Sequence, residues 1–150
     1  MSEMRPGRGA DADAVTACVG RAYDKYVARI GRKPNPMLAD YAQAIAQHQI
    51  WVVDGERGIA AVLELIPGED HLLIENVAVD PAHQGGGLGR RLMAFAEAEA
   101  RRQGFAELRL YTNERFVENI AFYGWLGYRV TGREPYKESA VIFMRKALPG

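Results

Sequence analysis

The hydrophobic period changes twice between residues 71 and 112, from strand-like to helix-like and back, and this stretch most constrains the fold. Residues 71–79 are apolar and Val-rich, Pro81 ends that run, and four glycines then fall within the five residues Gly85-Gly86-Gly87-Leu88-Gly89. Leu88, Leu92, Phe95, Ala96 and Ala100 mark an apolar helical stripe that stops near Gly104, and residues 106–112 are strand-like again. Strand, helix and strand in that order predict a right-handed parallel crossover. The glycine loop then lies at the carboxyl end of the first strand, where open α/β sheets place ligands. Glycines let backbone N–H groups approach an anion, and the following helix adds unpaired N–H groups and the positive end of its dipole. A phosphate-bearing ligand is the natural guest. The competing reading, a plain strand-to-helix turn, would be served by one glycine.

The rest of the chain builds around this unit. Residues 14–29 read as a helix that Asp11 or Asp13 can cap, residues 31–36 as a Pro-interrupted loop, and residues 37–48 as a second helix with Leu38, Tyr41, Ala42 and Ile45 on one face. Residues 50–53 and 59–66 are strands joined at a hairpin signal, Asp54-Gly55-Glu56-Arg57-Gly58. Asn113 can cap a helix running to about Leu126, and strands at 128–132 and 140–146 close the chain. The order α-α-β-β-β-α-β-α-β-β predicts a single α/β domain over residues 1–150 with a mixed sheet. A net charge of zero gives nothing global that draws the chain to nucleic acid or an anionic membrane. The start, Met1 to Pro6, lacks a signal-peptide core, and no apolar run is long enough to span a membrane. Cys18 is the lone cysteine and falls in a helical stripe with Val15, Val19, Ala22 and Tyr26, so a buried core thiol is favoured over a catalytic one. That usage points to a reducing, cytoplasmic setting. His48, His71 and His83 have no metal-ligand spacing, so no metal is expected.

Two familiar phosphate motifs fail. A P-loop needs Gly-Lys-Ser/Thr, whereas Gly89 is followed by Arg90-Arg91. The dinucleotide fingerprint needs Gly at its sixth position, where this loop offers Arg90 or Leu92. The spacing that does occur is Gln84-x-x-Gly87-x-Gly89. In this the chain resembles the GCN5-related N-acetyltransferase (GNAT) superfamily, whose acetyl-CoA signature is Arg/Gln-x-x-Gly-x-Gly/Ala. A second element, Asn119-Ile120-Ala121-Phe122-Tyr123-Gly124-Trp125-Leu126-Gly127-Tyr128, resembles that family's late helix, in the right order and at the right distance. The resemblance covers residues 50–147. The first 48 residues match as two helices only, with the usual first strand poor because Arg5-Pro6-Gly7 leaves little to pair.

The resemblance implies a mostly antiparallel sheet that splays between the strands around residues 71–79 and 106–112. It implies acetyl-CoA as cosubstrate, its pyrophosphate held by main-chain N–H groups of Gly85, Gly86, Gly87, Leu88, Gly89 and Arg90 after Gln84. The pantetheine arm would pair with the backbone of Val77-Ala78-Val79 like an added strand. Tyr123 resembles the family's general acid toward the departing sulfur, with a core aromatic as the alternative, and Asn119, one turn earlier, would touch the same arm. A Lys-type amine near pKa 10.4 is only about one part in a thousand neutral at pH 7.4, so a base is useful. Glu75 is the leading candidate, placed by period two on the side of Leu73, Val77 and Val79; a cation-binding or Arg-pairing role stays open. Asn76, on the other face, is expected to satisfy backbone groups. By spacing Tyr23, Tyr26, Tyr41, Trp51 and Trp125 read mostly as core, and the resemblance makes a subset of Tyr23, Tyr26, the loop 34–37 and Tyr136 candidates for the acceptor wall. The implied function is N-acetylation of a small-molecule or peptide amine, with polyamine, aminoglycoside, amino acid and protein amines all open and a homodimer through the last strands possible. Rival readings are a non-catalytic acyl-CoA-binding module and a transferase with another acyl group or acceptor.

Overall fold

The structure, a computed structural model, describes residues 3–149. Met1, Ser2 and Gly150, which the leader and domain expectations include, lie outside the described residues. The strands are β1 (Met4–Pro6), β2 (Gln49–Gly55), β3 (Gly58–Pro67), β4 (Leu72–Val79), β5 (Glu107–Asn113), β6 (Arg129–Tyr136) and β7 (Ser139–Ala147). The helices are α1 (Ala12–Ile30), α2 (Tyr41–Gln47), α3 (Leu88–Arg102) and α4 (Val117–Trp125), with short 3-10 turns before α1, α2 and α3. The strands form one sheet in the order β1-β2-β3-β4-β5-β7-β6. Neighbours are antiparallel except β4 and β5, which α3 joins in parallel.

Helices cover both faces. The α1 residues Val15, Cys18, Val19 and Ala22 pack with Tyr41 of α2 on Val52, Ile59, Val62 and Ala78. On the other face Leu88, Leu92, Met93, Ala96 and Ala100 of α3 meet Leu63, Leu65, Leu72 and Leu108. Because both faces are buried, β3 reads as a near-continuous apolar run. Each fully buried leucine there contributes about 1.5–3 kcal/mol. Cys18 is fully buried, as its stripe predicts, and burial raises its thiol to about 11.

Two expectations are corrected. A first strand does form: Met4, Arg5 and Pro6 pair with Val53, Val52 and Trp51. At a sheet edge the missing proline N–H costs nothing, and Arg5 anchors the strand by donating to both Asp11 and Asp54 at 2.7–3.0 Å. The second helix is shorter than residues 37–48, because Asp40 restarts it by accepting the Gln43 N–H at 3.2 Å, leaving Leu38 exposed.

The parallel β4–β5 ladder is brief. It pairs Leu72, Leu73 and Ile74 with Leu108, Arg109 and Leu110 and then stops, while β5 stays paired with β7 as far as Asn113. The sheet therefore splays beyond Ile74. At the same point β4 is bulged against β3: Glu64 faces Asn76 and Leu65 faces Ile74, leaving Glu75 as the extra residue. Past the split α1 meets the residue that precedes α4, with Tyr26 stacked on Phe116 at 4.0 Å between ring centroids.

Candidate active site

A groove of about 430 Å³ runs from the free end of β4 to the start of α3. Asp80 shapes its entrance, accepting the Ala82 N–H at 2.9 Å and pairing with Arg21. Gly85 and Gly87 then take φ of 86° and 82°, a left-handed region that side-chain-bearing residues rarely adopt. Gly87 caps α3, and the Arg91 N–H is the first to close back, onto the Gly87 carbonyl at 3.1 Å. The amides of Leu88, Gly89 and Arg90 have no earlier turn to bond and point out of the helix start. Gly89 lies on the inner side, where an added Cβ would sit 3.8 Å from Phe122. Gln84 steadies the loop by donating from Nε2 to the Val79 carbonyl at 3.2 Å. Every expected cofactor residue except Gly86 lines this groove. Arg90 holds its guanidinium 4.8 Å from the ring of Trp125 at the end of α4. Trp125 is 67% exposed, not the core residue its spacing suggests.

A larger cavity of about 520 Å³ opens on the α1–α2 side of the split. Glu75 lies here, not in the groove. Strict alternation would put Glu75 on the side of Val77 and Val79. The bulge breaks the alternation, so that Ile74 and Val77, three residues apart, both pack toward α3 while Glu75 faces the cavity. Its carboxylate accepts a short hydrogen bond from the Tyr111 hydroxyl. Burial pushes the Glu75 carboxyl above the usual carboxylate range, opposed by that hydrogen bond. Burial and the adjoining carboxylate likewise raise the Tyr111 phenol.

Asn76 does not serve backbone groups. Its Oδ1 accepts from Tyr23 at 2.8 Å and its Nδ2 donates to the Tyr41 hydroxyl at 3.0 Å, which donates to the Pro36 carbonyl at 2.6 Å. This buried chain ties β4 to α1, α2 and the loop before α2, because a sheathed amide must find partners for each of its polar atoms. Burial holds the Tyr23 phenol well above its ordinary value. Glu64, buried at the middle of β3, accepts from or donates to His48 Nδ1 at 2.6 Å according to their proton positions. His48 and Glu64 were not singled out from the sequence as site residues. The available signal was a carboxylate within the run Ala60-Ala61-Val62-Leu63-Glu64-Leu65-Ile66, where a buried charge needs a reason.

The late helix joins the two spaces. Asn113 accepts the Arg115 N–H and closes a turn, so α4 starts after Phe116, later than an Asn113 cap implies. Gly127, at φ 100°, ends it with paired bonds from Gly127 N–H to Gly124 and Tyr128 N–H to Tyr123. Tyr123 and Asn119 line both groove and cavity. Burial raises the Tyr123 phenol, so it stays protonated, and among the described residues no protein acceptor takes its hydroxyl. Asn119 Oδ1 accepts from Tyr26 at 3.3 Å. Of the expected acceptor wall, Tyr23, Pro34, Asn35, Pro36 and Tyr136 line the cavity; Tyr26 lines the groove instead.

A sequence model of the acetyltransferase (GNAT) domain matches residues 46–130, more than half of the chain. The chain belongs to the GNAT acetyltransferase family. Its GNAT relatives by sequence include Probable N-acetyltransferase 14 of Xenopus tropicalis, 33% identical over 92 residues that cover 59% of this chain and 45% of that protein. N-alpha-acetyltransferase 80 of Mus musculus is 40% identical over 80 residues, 53% of this chain and 23% of that protein. The chain thus spans less than half the length of these relatives. Two solved structures share the whole GNAT fold. The paia N-acetyltransferase from Thermoplasma acidophilum, in complex with coenzyme A, superposes with a TM-score of 0.82 at 17% identity, covering 98% of this chain and 99% of that one. The ribosomal-protein-S18-alanine N-acetyltransferase from Escherichia coli gives 0.80 at 21% identity, covering 100% and 96%. Among the described residues no helix is long and apolar enough to cross a membrane, and no group of three His, Cys, Asp or Glu is arranged to hold a metal ion.

Proposed function

We propose that this protein transfers the acetyl group of acetyl-CoA to a primary amine by direct attack in a ternary complex. The observation that carries the reading is the parting of β4 from β5 at Ile74, with Tyr123 and Asn119 lining both the groove on one side and the cavity on the other. The groove fits the cosubstrate. The left-handed Gly85 and Gly87 leave open space where a Cβ would project, and the first amides of α3 face a diphosphate. Each such charge-assisted hydrogen bond contributes about 1.5–3 kcal/mol. Beyond Ile74 the β4 backbone has no β5 partner, so Val77 and Val79 can pair with an extended amide-bearing arm. Arg90 exchanges the Trp125 ring for a phosphate.

The chemistry follows from placement. Glu75, on the cavity side, takes a proton from the bound ammonium, directly or through a water. The freed amine nitrogen bonds to the acyl carbon as the carbon–sulfur bond breaks, and the second proton that the nitrogen sheds passes through water to the thiolate, leaving amide and free thiol. The raised Glu75 carboxyl is better matched to an amine than an ordinary carboxylate would be. The Tyr123 hydroxyl donates to the departing sulfur. A phenol near pKa 10 and a thiol near 8.5 differ by about 2 kcal/mol against full transfer, so a hydrogen bond to the thiolate is the claim. No covalent acyl-enzyme is needed, since holding both reactants in one site supplies most of the advantage. The buried lone Cys18 fits a reducing, cytoplasmic setting, and the outer edge of β6 is open to pairing with a second copy. Thiol release from acetyl-CoA over a panel of primary amines tests the reading. Amine-dependent release that Tyr123→Phe slows supports it; tight coenzyme A binding without release for any amine would leave an acyl-CoA-binding module instead.

A further inference from the structure

Three acids line the cavity: Asp40, which caps α2, and Glu64 and Glu75 at its floor. Elsewhere the carboxylates of Asp11, Asp80, Glu99, Glu107, Glu114 and Glu118 each pair with an arginine. The two on the cavity floor do not. Among the described residues, no Arg or Lys lies within ion-pair distance of Glu64 or Glu75, whose partners are the His48 imidazole and the Tyr111 phenol. Glu64 is 4% exposed and lines the cavity, with one oxygen held by His48 and no protein donor to the other among the described residues. A buried carboxylate with one oxygen unpaired is costly, whatever the charge of the His48 ring on the other. Its placement makes sense if a cation arrives with the ligand.

The spacing is set by the sheet. Glu64 faces Asn76 across the β3–β4 ladder, and Glu75 is the bulged residue beside Asn76. Residues directly or diagonally opposite in such a pair lie about 5–8 Å apart. Aromatic rings of Tyr41 and Tyr111 flank the same space and suit a short apolar spacer. Asn35 donates to the Tyr136 hydroxyl at 3.1 Å, tying the loop before α2 to the β6–β7 hairpin, both of which line the cavity. An extended peptide entering between them must break that tie; a small molecule need not.

Resting on the acetyl-transfer reading, we propose that the acceptor is a small primary amine carrying a second cationic nitrogen, its reacting end at Glu75 and its distal charge on Glu64. The test compares putrescine with butylamine and with aminobutanol, which keeps the length and polarity but not the second charge, and with an alanine-initiated peptide. Thiol release gives kcat/KM for each. One charge-assisted contact predicts putrescine favoured about tenfold or more over both monoamines, mostly in KM, with Glu64→Gln collapsing that ratio. Equal kcat/KM for the three small amines, or a preference for the peptide, overturns the proposal while leaving acetyl transfer standing. Calorimetry of putrescine into wild-type protein saturated with coenzyme A reads the same site without turnover or mutation: binding that aminobutanol does not reproduce supports the distal contact, and absence of binding refutes it.

Discussion

The groove and the cavity share Tyr123 and Asn119 but are made of different material. The groove is built mainly from backbone: along the run Gly85 to Arg90 every residue but Gly86 lines it, and the geometry of that run follows from two left-handed glycines and one helix start. The cavity is built from side chains that five or more elements bring together, with Tyr41 and His48 from the α2 region, Glu64 from β3, Glu75 from β4, Tyr111 from β5 and Tyr136 from β6. A backbone site is specified by a short run of sequence and tolerates change around it. A side-chain site is specified by the whole fold, and each of its groups acts through the protonation states of its neighbours.

Substitutions can break that contrast. The largest effect is expected at Gly87, where φ of 82° makes any β-branched residue a conformational outlier and turns the α3 amides away. Gly87→Val should weaken coenzyme A binding about 100-fold or more by calorimetry, the loss of two or so charge-assisted bonds. Next, Tyr123→Phe should lower kcat about 10- to 100-fold in steady-state assays while the Kd for coenzyme A stays within about threefold. An equal loss in both would make Tyr123 part of the groove only.

Glu75→Gln should lower kcat/KM about tenfold at neutral pH and change its pH profile. In the proposed mechanism the base is the carboxylate, and the folded pKa is raised, so wild-type activity should climb as pH rises through that value, a limb the variant lacks. The stability sign is opposite. A raised carboxyl pKa favours the fold below the ordinary carboxylate range, and that contribution is lost as pH rises through the folded value. At neutral pH, therefore, Glu75→Gln should unfold at a higher temperature than wild type, with the gap closing on acidification; scanning calorimetry at two pH values checks it. The smallest effect is expected at Gly86, where a Cβ meets only the His83 carbonyl at 3.6 Å: Gly86→Ala should change coenzyme A affinity by about threefold or less.

The same contrast explains what was legible in the sequence. The crossover from residues 71 to 112, the glycine loop and the α4 signature are local patterns, and each lies close to where its pattern places it. Glu75 was misplaced relative to Val77 because a bulge is a property of two strands, and only the β3 register reveals it. β1 was missed because a three-residue edge strand draws its stability from Arg5 reaching Asp11 and Asp54, 49 residues away in the second case. The His48–Glu64 pair and the Asn76 chain with Tyr23 and Tyr41 were illegible for the same reason: partners 16 to 53 residues apart leave no period to read. Trp125 misled because helical spacing does not say which face of α4 is turned to solvent.

In the proposed complex the amides of the loop and the unpaired end of β4 together receive the cosubstrate beside the break in the sheet. Amide hydrogen exchange with and without coenzyme A tests it residue by residue. Added protection is expected at Gly85 to Arg90 and at the free β4 amides among Val77 to Val79, with β6 and β7 unchanged. Protection confined to other segments, or none at saturating coenzyme A, would contradict it.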